Sequence, residues 1–214
     1  MFADKVGPDD AALMDEVRFF KEMNDADHNP PIITCKTVYE CSKFTVTVFF
    51  LPQRAAMPLH NHPGLTVFSK LLIGSAHVVA YDWVRPHVCA TGSAGRPTAM
   101  QLAEKVLDQE FTVKSGASWV LFPDSGGNMH RFAPGEDGPS AFLDVVTPTY
   151  SPARHTGLPP STRTSPTTCT RKSSSICRER RSDGGTEALA WLQEIDEPKD
   201  LRISNLPYRG QPIV

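Results

Sequence analysis

Three histidines carry most of the chemistry this chain could do. His60 and His62 stand one residue apart in "PLHNHPGLTVFSKLLIGS", and His130 follows the pair Gly126 and Gly127 in "GASWVLFPDSGGNMHRF". In a β-strand residues i and i+2 face the same way, so the first two imidazoles are expected to project together and offer two nitrogens to one ion. A lone H-x-H is a weak signal, because histidine is also an ordinary strand and surface residue. A third histidine behind a glycine turn strengthens it, since one ion could take all three.

Such ligands need a rigid frame. From "CSKFTVTVFFL" onward the chain breaks into short β-rich runs separated by Pro, Gly and Ser: "LTVFSKLLI", "SAHVVAYDW", "AEKVLDQEFTV", "GASWVLF" and "SAFLDVV". This recurrence predicts an all-β domain, and periodicity alone leaves sandwich and barrel open. Upstream, "PDDAALMDEVRFFKEM" sets Leu13, Val17 and Phe20 at a helical stagger, with Asp9 and Asp10 as candidate caps, and predicts a short amphipathic helix. Near the other end, "TEALAWLQEI" places Leu189, Leu192 and Ile195 on one helical face and predicts a second helix. Between them, after Val146, "TPTYSPARHTGLPPSTRTSPTTCTRKSSSICRERRSDGG" has almost no apolar periodicity and the composition of a disordered segment.

The totals narrow the function classes. With 214 residues, 40% of them hydrophobic, and a net charge of -2, the chain suits one well-buried domain and argues against nucleic-acid binding. The opening "MFADKVGPDDAALM" lacks an apolar secretory core, and no run of about 18 apolar residues occurs, so neither secretion nor membrane spanning is expected. The five cysteines form no CxxC pair, which favours free thiols in the cytosol or nucleus over a disulfide framework or zinc knuckle.

The spacing of "HNHPG", Gly74 and "GGNMHRF" resembles the two motifs of the cupin superfamily. Most cupins carry a glutamate ligand where this chain has Val67. Three neutral imidazoles leave a divalent ion its full charge and open positions, which favours an anionic thiolate together with O2. A three-histidine iron site in a small cupin points to the thiol dioxygenases. "YECSKFTVTVFFLPQRAAMPLHNHPGLTVFSKLLIGSAHVVAYDWV", "GGNMHRF" and "AFLDVVTPTYSP" resemble the plant cysteine oxidases, relatives of animal 2-aminoethanethiol dioxygenase, over about residues 35 to 152 and 186 to 214.

That resemblance implies an all-β cupin double-stranded β-helix, a jelly-roll barrel with short flanking helices at both termini. It implies iron(II), Fe(2+), held by His60, His62 and His130, with Asp144 beside the metal to engage a substrate amine and Tyr150 nearby. The implied reaction adds both atoms of O2 to an N-terminal cysteine, giving the sulfinic acid, which ordinary reductants do not reverse. Group VII ethylene-response transcription factors are the implied targets, read out through the arginine N-degron pathway as oxygen sensing in the hypoxia response, in cytoplasm and nucleus. A monomer is expected.

The chain thus divides into an N-terminal helical segment (1–34), the cupin core (35–152), an atypical stretch (153–185) and a closing segment (186–214). In the atypical stretch Thr156 replaces an expected cysteine, and tyrosines of the family pattern are missing. Shifting the reading frame by two bases permits "YQDFPYDLYKE" there, so residues from roughly 157 to 182 read as an out-of-frame translation. Two rival functions stay open: a cupin isomerase or small-ligand binder using another divalent metal, against which Val67 argues, and an inactive relic, for which residues 153–183 argue. Elsewhere, His77 and His87 read as strand-face or loop residues, and His28 and His155 as solvated. Trp83, Trp119 and Cys41 read as packing residues, and Phe68 and Leu71 as barrel filling.

Overall fold

The computed structural model describes residues 7–11, 13–23, 31–91, 99–115, 118–136, 138–149, 168–171, 178–180, 186–195, 198 and 200–210. Helix α1 (Met14–Met23) leads into β1 (Ile33–Glu40), β2 (Thr45–Leu51), β3 (Met57–His60), β4 (Thr66–Ile73) and β5 (Ser75–Trp83). Then follow β6 (Cys89–Thr91), β7 (Ala99–Thr112), β8 (Ser118–Leu121), β9 (Met129–Pro134) and β10 (Ser140–Thr147). The remaining strands are β11 (Thr168–Arg171), β12 (Arg178–Arg180), β13 (Thr186–Ile195) and β14 (Ile203–Asn205). No helix among the described residues is long and apolar enough to cross a membrane.

Two sheets form the frame. The first runs β14-β1-β2-β10-β4-β8 and the second β12-β13-β11-β3-β9-β5-β7-β6, with β13 also paired to β7, so the second sheet curls back on itself. Between β4 and β5, Gly74 makes the reversal at φ +75, where a Cβ would lie 2.2 Å from the Pro139 carbonyl oxygen. Only glycine fits that close approach. Alternation along the strands then sends one set of side chains inward. Leu51, Leu71 and Phe142 from the first sheet meet Met57, Val78 and Phe132 from the second in one core. Trp119 packs against it, its ring 5.8 Å from that of Phe132 and 5.9 Å from that of Phe142.

The outer faces are covered as well. Ala11 and Leu13, just ahead of α1, pack on Val46, Val48, Phe50 and Leu143 behind the first sheet. A buried ion pair between Glu16 and Lys36 ties α1 to β1. Behind the second sheet, Ala190 and Leu192 of β13 join Leu59, Tyr81, Ala103 and Met129.

The all-β frame agrees with the sequence pattern, with four local corrections. Asp10 does not cap α1: the helix starts at Met14, and the Asp10 carboxylate accepts the Gly7 N–H at 2.9 Å in the turn before it. The helix expected in "TEALAWLQEI" is the strand β13. Its apolar run is too short to separate the two periods, and pairing with β7 places Ala190 and Leu192 on one buried face while satisfying backbone groups that an open edge would leave exposed. Two pieces of the 153–185 stretch, expected to lack packed structure, are the strands β11 and β12; Thr168 pairs with His60 and Arg178 with Ala188. Finally, Leu71 fills the interior, whereas Phe68 lies on the opposite face of β4, which is less completely buried.

Phe142 is 1% exposed, and its ring lies 4.8 Å from that of Phe132. Phe142→Ala should therefore lower stability by about 3–5 kcal/mol in denaturant unfolding. A loss under about 1 kcal/mol would contradict the packing described.

Candidate metal centre

The pleat of β3 turns Leu59 outward to the cluster behind the second sheet and His60 inward. Across the ladder His60 pairs with His130 of β9, which in turn pairs with Ala80 of β5. His62 differs from the expectation of a strand pair, because β3 ends at His60. Its position is set by a turn, closed where the Leu65 N–H donates to the His62 carbonyl at 3.0 Å, and by the side chain of Asn128. The Asn128 Oδ1 accepts the His62 N–H at 2.7 Å. Its Nδ2 faces the carbonyls of His62, Leu65 and Phe122 at 3.2, 3.3 and 3.1 Å.

The three rings converge. Their centroids are 4.9 Å apart for His60 and His62, 4.3 Å for His60 and His130, and 5.1 Å for His62 and His130. The candidate ligand nitrogens all lie within 4.8 Å of one another, and all three residues are buried. His60 Nδ1 donates to the Pro58 carbonyl at 2.8 Å, and His130 Nδ1 donates to the Asn128 carbonyl at 2.9 Å. A carbonyl only accepts, so both rings carry the proton on Nδ1 and present the Nε2 lone pair to a metal. Burial lowers the pKa of all three, to well below the ordinary histidine value for His62 and His130, where charge on the neighbouring imidazoles adds to the effect. They are therefore neutral at neutral pH, the form that ligates a metal.

No carboxylate joins this set among the described residues. Val67 is fully buried among Leu65, Leu121 and Val146. The donor set therefore fits a transition metal held by three nitrogens with further positions left for other ligands.

A second layer holds the third histidine. The Asp82 carboxylate accepts the N–H groups of Gly126 and Gly127, both at 2.8 Å. Gly127 has φ +83, and a Cβ there would sit 2.7 Å from that of Ala80, the ladder partner of His130. Sequence reasoning noticed the glycine turn but neither Asp82 nor Asn128. The "GGN" directly ahead of "MH" was the available signal.

Asp144 sits on β10 between Thr47 of β2 and Ser69 of β4. It is 6% exposed and accepts the Ser69 hydroxyl at 2.6 Å. Burial raises its pKa from 3.8 to about 6, against the opposing effect of the Ser69 hydrogen bond. Alternation puts Asp144 on the face of Phe142, and the Phe132 ring that packs on Phe142 lies 4.6 Å from His130. The acid and the imidazoles therefore share one interior.

Tyr150, His28 and His155 lie outside the described residues. His77 is hydrogen-bonded to Asp108 at 2.8 Å on an exposed strand face, and His87 contacts Gln101, so neither joins the centre. Trp119 stacks on Phe111 with centroids 5.0 Å apart, consistent with packing. Cys41 is half-buried, and its thiol reaches the Phe44 carbonyl at 3.6 Å.

The Asp144 shift has a thermodynamic sign. Because the folded pKa lies above the unfolded one, the native state holds more protons between about pH 4 and 6, and stability falls as pH rises through that window. A shift from 3.8 to about 6 corresponds to about 3 kcal/mol at neutral pH. Asp144→Asn should accordingly stabilise the metal-free protein by about 2–3 kcal/mol at pH 7.5 and hardly at all at pH 4 in urea unfolding. Equal effects at the two pH values would contradict the buried-acid assignment.

A family model described as PCO_ADO matches residues 2–213. The chain is 34% identical to plant cysteine oxidase 2 of Arabidopsis thaliana, over 98% of this chain and 71% of that protein. It is 35% identical to plant cysteine oxidase 1 of the same plant, over 98% and 69%. It is also 28% identical to 2-aminoethanethiol dioxygenase of Homo sapiens, over 86% and 70%. The match runs through both sheets and past both of the motifs that supply the histidines, and the chain accordingly belongs to the PCO_ADO family.

Proposed function

We propose that this chain is an iron(II)-dependent thiol dioxygenase acting on N-terminal cysteine. The observation that carries the reading is the convergence of three buried, neutral imidazoles with Val67 where a carboxylate ligand would otherwise stand. When bound, iron(II) would lower the substrate thiol's pKa and supply a redox centre for O2. The overall step balances without another reductant: both oxygen atoms join sulfur, which loses four electrons as O2 gains four.

The chain's own residues provide orientation and a dry interior. His60, His62 and His130 would hold the ion. Asp144, with one oxygen engaged by Ser69, keeps its other oxygen available to accept from the substrate's ammonium group, whose charge would favour the carboxylate form. Leu71, Phe132 and Phe142 keep water from the interior behind the imidazoles. Tyr150 would complete the substrate side, as the resemblance implies.

Proteins beginning with cysteine, including group VII ethylene-response transcription factors, are the proposed partners, with sulfinic acid formation feeding the arginine N-degron pathway under oxygen control. A monomer in cytoplasm and nucleus fits that role. The departures in residues 153–183 favour a second reading, a metal-binding protein without turnover. One assay separates the two: anaerobic protein is loaded with iron(II), then mixed with O2 and a peptide that begins with cysteine, and the peptide's mass is followed. The peptide should gain two oxygen atoms, and His130→Ala should abolish the gain. Bound iron with an unchanged peptide would overturn the dioxygenase reading.

A further inference from the structure

We propose that Asn128 is a positioning residue that makes His62 and His130 members of one coordination set. His62 stands beyond the end of β3, outside the ladder that pairs His60 with His130, so its approach to the other two rings is set by contacts outside the strand. Asn128, 6% exposed, meets both main-chain groups of His62, its N–H at 2.7 Å through Oδ1 and its carbonyl at 3.2 Å through Nδ2. The same Nδ2 reaches Leu65 and Phe122, so one side chain spans the corner after β3 and the end of β8. Its own carbonyl accepts the His130 Nδ1 proton at 2.9 Å. A single residue thus fixes the backbone of one ligand and the tautomer of another.

Few other side chains could hold the His62 backbone in this way. The position needs an acceptor and a donor on one short, planar, uncharged group. Leucine would leave the buried His62 N–H without this acceptor and remove the donor that faces the three carbonyls, and aspartate would keep the acceptor but lose the donor. Asn128 is in turn aimed by the preceding turn, whose Gly126 and Gly127 N–H groups are held by Asp82. The relay runs from Asp82 through the glycine turn to Asn128, and from there to two of the three imidazoles.

This inference rests on the three-histidine reading of the site but not on turnover, so metal binding tests it apart from oxidation. Cobalt(II) is titrated into the metal-free protein and followed by its visible absorption, with unfolding of each metal-free variant measured alongside. Asn128→Ala should weaken cobalt(II) binding by about 10-fold or more. In a His62→Ala background the same change should cost less than about threefold, because the ligand it positions is already gone. Asn128→Asp, which retains the Oδ1 acceptor, should fall between native and Asn128→Ala, and it replaces Asn128→Ala in the cycle if that variant does not fold. Equal losses in both backgrounds would overturn the proposal in favour of a merely structural role, as would native-like affinity in Asn128→Ala or a native protein that binds no cobalt(II). Cobalt(II) binding with the predicted coupling, in a protein that oxidises no thiol, would uphold Asn128 and sink the dioxygenase reading alone.

Discussion

Burial of three imidazoles side by side, with no carboxylate among them, is the constraint around which the rest of the molecule is arranged. Desolvation makes a charged ring costly there, so the rings stay neutral and keep lone pairs to give. A divalent cation entering such a set keeps its whole charge in a low-dielectric interior. The natural neutralising partner is then an anion brought by the substrate, and a thiolate answers that requirement. Val67, packed among Leu65, Leu121 and Val146, keeps the protein from supplying the anion itself.

The same interior explains why Asp144 stands apart. A carboxylate in contact with the metal would neutralise part of its charge, whereas one placed on the first sheet and tied to Ser69 can meet a cationic group of the substrate instead. Burying that acid costs stability near neutral pH, a cost the surrounding core of Leu71, Phe132 and Phe142 must offset. Thiolate at the metal and ammonium at the acid would read the two ends of an aminothiol with two different charges. That division of labour would follow from neutral ligands on β3, β9 and the turn after β3, with a buried acid on the other sheet.

Much of this was legible from residue types. The H-x-H pair, the glycine turn and His130 stood out as candidates by type and spacing, the resemblance joined them into one ligand set, and the β-rich run "SAHVVAYDW" matches β5, Ser75–Trp83. What stayed hidden depends on distant partners. "TEALAWLQEI" carries a short apolar run that fits either period, and pairing with β7, β11 and β12 decides it in favour of a strand. His62 was expected to follow the pleat of a strand, but the strand stops at His60 and a residue 66 positions away in sequence holds it. Asn128 looks like an ordinary loop polar residue, and Asp82 like an ordinary polar residue near a strand end, until the turn brings their hydrogen bonds together.

X-ray absorption at the iron edge of the iron(II)-loaded, substrate-free protein addresses the central claim most directly. The account predicts scattering from three imidazole ligands, with solvent completing the shell and no contribution from a protein carboxylate. A carboxylate oxygen from Asp144 in that shell, or fewer than three imidazoles, would contradict it.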